Sequence, residues 1–235
     1  MQPRKSLAAA LALAGAVACS NGGTAPPPVN ELAALNTAIG SVNAARLAIS
    51  ADVTHVTKAA ETLDRADSLG ATGNRQEMRP VRAVADVQVP RARAALARLP
   101  GELATYTTAL GALETATERS RLTDGQRAAL TTVVASGVGE RIAADRFARD
   151  AKVVWPEYDA LDQLERTWLL RARGGWYRDR EESADAYAVL VGGRRPTLER
   201  ARLALSRADA VRAQAAAAMG SAVADARSAL ETLSG

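Results

Sequence analysis

Residues 30–69 read NELAALNTAIGSVNAARLAISADVTHVTKAAETLDRADSL. Apolar side chains fall at Leu32, Leu35, Ile39, Val42, Ile49, Val53, Val56, Ala60 and Leu63, in steps of three and four, with Arg46 holding one place on the same stripe. That spacing keeps the stripe on one side of an α-helix and forms a coiled-coil-like seam. Asn30 is placed to cap the start, and Gly70 with the Gly73-Asn74 loop to end the helix near residue 69. At 1.5 Å per residue such a helix is about 60 Å long. A compact sphere of this chain length does not hold it, so the expected fold is an all-α, elongated antiparallel bundle with long coiled-coil-like helices.

The remaining chain repeats the pattern. Val81, Val84, Val87, Leu96 and Leu99 mark a helix over about 76–99, which Pro80, Pro90 and Pro100 are expected to kink or split near Pro90. Leu103, Tyr106, Leu110 and Leu113 mark another over about 101–120. Thr123 is a natural N-cap for a helix from Asp124 to about Val153, and Pro156 suits the first turn of one reaching Arg173. Gly174-Gly175 and Gly192-Gly193 bracket a short helix around Tyr187, and Pro196 opens a last long helix carrying Leu198, Leu205, Ala208, Met219, Ala222, Ala226 and Leu233. Sustained two-residue alternation is absent, so strands are not expected.

Composition narrows the chemistry. The 235 residues are 48% hydrophobic but only 3% aromatic, so closely approaching, alanine-rich helices must make most of the core. The formal charge of +4 is inflated by Arg4 and Lys5 at the start of the chain. Without them the balance is nearly neutral, which argues against nucleic acid, whose phosphates need a surplus of cations. His55 is the single histidine and Cys19 the single cysteine. Metal pairs and a Cys-His nucleophile therefore lack partners, and neither a metal nor a cofactor nor a catalytic residue is expected. Glu157, Asp159, Asp162 and Glu165 crowd one helix, but solvated helix faces carry such groups routinely.

The N-terminus reads as an address. Met1–Lys5 is basic and Ser6–Ala18 is an uncharged apolar run too short for a stable membrane span. Ala16-Val17-Ala18 offers small residues for cleavage directly before Cys19. This arrangement resembles the bacterial lipobox, in which the cysteine thiol receives a diacylglycerol and, after cleavage, often a further acyl chain such as palmitate. Position three before the cysteine is Ala16 where Leu or Val is usual, and it also satisfies an ordinary secretory site, which would leave a free thiol. The resemblance implies a signal peptide over 1–18, a lipidated Cys19 with a Gly/Pro-rich tether over 19–29, and a single helical domain over 30–235. It implies a protein outside the cytoplasm, anchored to a bacterial membrane. Ser20, where the inner-membrane pattern has Asp, favours the periplasmic face of the outer membrane.

One region departs from the alanine-rich pattern. Seven of the eight aromatic residues lie between Phe147 and Tyr187, interleaved later with Arg166, Arg171, Arg173, Arg178 and Arg180. Rings beside guanidinium forks suit stacking on a sugar face and holding an anion. Within the segment 155–187, Trp168, Arg171, Arg173, Trp176, Tyr177 and Arg178 are the candidates for a glycan or anionic-ligand site. The alternative is that Trp155, Trp168 and Tyr187 fill a wide end of the bundle while arginine stems cover them. The expected role of the domain is that of a non-enzymatic, membrane-anchored interaction or structural module with an envelope protein as partner. Ligand binding by 155–187 is the second expectation.

Overall fold

The computed structural model describes residues 31–231. Cys19, the signal and tether segments, the Asn30 cap and Leu233 lie outside the described residues. The described chain is five helices: α1 Glu31–Ala71, α2 Arg75–Arg119, α3 Asp124–Arg173, α4 Arg180–Gly192 and α5 Arg195–Glu231. No strand occurs among the described residues. The chain is an all-α antiparallel bundle, in which α1 packs chiefly on α2 and α5 on α3, with α2 against α3 joining the two hairpins. At 1.5 Å per residue the 50 residues of α3 reach about 75 Å, which makes the bundle elongated.

The seam of α1 is spent inside this bundle. Leu35, Ile39, Val42, Ile49, Val53, Val56, Ala60 and Leu63 are all buried. By length and composition α1 is also apolar enough to cross a membrane. Arg46, on the same stripe, stays half-buried and reaches across to α5, donating to the Ala216 carbonyl at 3.1 Å and to Asn43 at 3.2 Å.

Two expected helix boundaries are corrected. The segments expected at 76–99 and 101–120 form one helix, and those expected to part near Pro156 form another. Pro80, Pro90, Pro100 and Pro156 are all exposed, so each carbonyl deprived of its N–H partner lies on the water side. The buried stripe meanwhile runs on through Val89, Ala92, Leu99 and Leu103 in α2 and through Ala151, Trp155 and Tyr158 in α3. Continuous burial on the inner face outweighs the local loss on the outer one.

The glycines also take different parts from those expected. Gly70 does not end α1 but lies inside it, where the Tyr187 ring packs so closely that a Cβ would sit 2.5 Å from it. The turn to α2 is made by Gly73, whose φ of 66° is left-handed. Asn74 caps α2 by accepting from the Glu77 amide. Thr123 caps α3 in a capping box with Gln126, as its position predicts.

Candidate functional site

Four of the large rings of 155–187 are core: Trp155, Tyr158, Trp168 and Tyr187. Trp168 is fully buried, its Nε1 donating to the Ser183 carbonyl at 2.9 Å. Its ring meets Tyr187 edge-on at 5.3 Å and stacks with Tyr177 at 6.4 Å. Trp155 and Tyr158 stack at 5.6 Å farther along α3. These contacts hold α4 over the end of the bundle, so Trp168 meets no ligand unless α4 leaves.

The other candidates divide. Trp176 is 70% exposed and leans over Gly174 in the turn after α3. Arg171 is exposed, and Arg178 is held by Glu182, which accepts from its amide at 2.7 Å and from its Nε at 3.4 Å. Tyr177 is half-buried, with its carbonyl accepting from Arg75 at 3.4 Å. Arg173, exposed in the last turn of α3, lines a groove against α2 with Arg79, Arg82, Asp86, Arg166 and Leu170. The structure thus does not gather the six residues into one cleft.

Beneath that groove lies a charged network that the sequence reading missed. Arg82 of α2 is buried and donates to Glu165 at 2.6 Å, to Asp162 at 2.5 Å and to Asp86 at 2.9 Å. Arg166 closes the network on Asp86 at 2.6 Å and Asp162 at 3.2 Å. The Glu165 carboxyl is fully buried, and burial raises its pKa well above the ordinary value, against the pull of Arg82. Its Oε1 and the Oγ of buried Ser183 have no partner among the described residues. Next to them, Asp67 accepts from the Tyr187 hydroxyl at 2.9 Å and from Arg202 at 2.8 Å.

The acidic cluster of α3 is therefore tied to arginines. Glu157 faces Arg194 at 3.4 Å, and Asp159 faces Arg93 at 2.9 Å. No group of acids able to hold a metal occurs among the described residues. Another buried acid, Glu140, accepts from the Tyr106 hydroxyl at 2.7 Å in the middle of the bundle.

The missed charges did have a signal. Leu130, Val133, Gly137, Glu140, Ala144, Phe147, Ala151, Trp155, Tyr158, Asp162, Glu165 and Leu169 continue one near-heptad seam along α3. Glu140, Asp162 and Glu165 occupy seam places, as Arg82 does in α2 and Asp67 in α1. Charges at such places are buried by the fold whatever their chemistry.

No family model, curated protein or solved structure matches the chain. The grooves of the bundle are thus read from its own residues. Between α3 and α5 runs one of about 660 Å³, floored by Val154, Ala204 and Ala208, with Val153 78% and Val211 48% exposed. Its charged lining is Arg207 and the pair of Arg146 with Asp150, 3.7 Å apart. Between α2 and α3 lies another of about 550 Å³, lined by Leu96, Leu103, Trp155 and Pro156.

Proposed function

We propose that the protein is a non-enzymatic interaction module of a bacterial cell envelope, tethered to the membrane by lipid on Cys19. The lipobox-like Ala16–Cys19 supports the address, and the groove between α3 and α5 supports the role. The long helices bury their seams in one another, yet leave Val153 and Val211 facing outward beside that groove. Exposed aliphatics gathered along a groove between two helices suit the apolar stripe of a third. Arg146 is paired with Asp150 of the same lining, and Arg207, without an ion-pair partner among the described residues, leaves the rim with a positive surplus that favours a stripe flanked by acids, so the proposed occupant is an amphipathic, acid-flanked helix of another envelope protein.

The test is in-cell photo-crosslinking from position 153 of the full chain. A single defined adduct that disappears in Val211→Asp, with unchanged helical circular dichroism, supports the reading. Absence of any adduct, or one indifferent to Val211→Asp, overturns it.

Glycan binding is the second reading, favoured by one observation: Trp176 is 70% exposed at the turn after α3, with Arg171 nearby in the chain. Retention on immobilised envelope glycan that is lost in Trp176→Ala would support this reading in place of the first.

A further inference from the structure

The groove between the start of α2 and the end of α3 has a different character from the apolar ones. It encloses about 280 Å³, and its lining includes Arg79, Arg82, Arg166 and Arg173. Asp86 is the one acid in that lining, with Asp162 reaching the network from beneath. Arg82 and Arg166 are engaged by Asp86, Asp162 and Glu165. Arg79 and Arg173 are exposed and have no ion-pair partner among the described residues. Glu165 lies beneath the groove and takes one nitrogen of Arg82 at 2.6 Å, so the four guanidinium groups face three carboxylates, those of Asp86, Asp162 and Glu165. Four guanidinium groups against three carboxylates leave a local surplus of one positive charge, and the two planar forks of Arg79 and Arg173 remain free to donate.

We propose that this groove is a binding site for a phosphate group, gripped by the free guanidinium forks of Arg79 and Arg173 with Arg166 behind them. Guanidinium matches phosphate oxygens with paired, charge-assisted hydrogen bonds, which a lysine ammonium does not reproduce. The engaged side chains give the site its rigidity: Arg82 is locked by three acids, and Arg166 is locked by two of the same acids. Leu169 and the 66% exposed Leu170 form an apolar wall on the α3 side. That wall accommodates the glycerol and first methylenes behind a lipid phosphate as readily as it tolerates a free phosphate ester. The site is independent of the groove between α3 and α5, so either proposal stands if the other fails.

The experiment uses the full chain at low ionic strength, where charge-driven binding is least screened. Inorganic phosphate and glycerol 3-phosphate are titrated calorimetrically, and sedimentation is measured with vesicles of phosphatidylglycerol or of phosphatidylcholine alone. The same measurements are made on Arg79→Gln/Arg173→Gln, whose altered side chains make no hydrogen bond or ion pair among the described residues, and on Arg119→Gln, which alters an exposed arginine in the last turn of α2, outside the groove. The proposal expects saturable binding that weakens at least tenfold in the double variant and is unchanged in Arg119→Gln. Binding of the soluble phosphates identifies a free ester as ligand, and binding confined to phosphatidylglycerol vesicles identifies a lipid headgroup. No saturable binding in any arm, or binding that the double variant retains in full, overturns the proposal.

Discussion

Arg82 of α2 donates to Glu165 of α3 across 2.6 Å, with both side chains inside the bundle. Asp162 takes a second nitrogen of the same guanidinium. A buried pair contributes little net stability against a well-packed apolar alternative, but removing one partner strands the other charge. Arg82→Ala leaves Asp162 and Glu165 without their main cation and is expected to cost about 3–5 kcal/mol. Urea denaturation followed by circular dichroism reads this directly; a loss below about 1 kcal/mol, the scale of an exposed pair, would contradict the geometry.

The same pair gives the protein a signed pH response. Burial is the largest influence on Glu165 and raises its pKa well above the ordinary 4.5, while Arg82 pulls it down. A group whose folded pKa is raised contributes stability that is fully present below the unfolded value and is lost as pH rises through the folded one. Its contribution is thus complete below about pH 4.5 and declines above it until the folded value is passed. Glu165→Gln abolishes this titration, so its melting temperature, plotted against pH from 4 upward, falls less steeply than that of the parent. Parallel curves would show that Glu165 stays charged in the fold.

Gly70 and Tyr187 report on how α4 is held. A methyl at position 70 would lie 2.5 Å from the Tyr187 ring, whose hydroxyl is already committed to Asp67. The ring has nowhere to retreat without lifting α4 from Trp168. Gly70→Ala is expected to destabilise by about 1–3 kcal/mol, in the range of overpacked cores, and to diminish the near-ultraviolet tryptophan signal. Gly40, in the same helix with open space around it, is the control and should tolerate alanine.

The exposed prolines are a stability reserve. Pro90 lies in the interior of α2, exposed on its outer face. Pro90→Ala restores one helical hydrogen bond and is expected to stabilise by up to about 3 kcal/mol. A variant less stable than the parent in urea would mean that the bundle depends on the proline's backbone shape.

The fold class was legible because a three-four spacing is the same whether a helix is seen alone or packed, and α1 carries it from Leu35 to Leu63 with Arg46 as the one charged place. The positions of the breaks were less legible. Pro90 and Pro156 end helices by local rules, but both face water, and tertiary burial through Val89 and Trp155 overrides them. Of the candidate site, the break after Arg173 was legible in Gly174-Gly175, and Trp176 and Arg178 lie exposed just beyond it. Trp168 carried two readings because an aromatic near arginines reads alike in a core and in a cleft, and its full burial matches the core one. Arg79, Arg82 and Asp86 were invisible as partners of Arg166 and Arg173, since they stand some 80 residues away and only the pairing of α2 with α3 brings them together.

The proposed envelope role depends first on the chemistry of one thiol. Cells expressing the full chain are labelled with a radioactive or clickable fatty acid, and the protein is then isolated and resolved by mass. The account predicts label on the parent and none on Cys19→Ser, with the parent alone partitioning into detergent. An unlabelled parent, or equal labelling of both forms, would contradict the tether and with it the place assigned to this bundle.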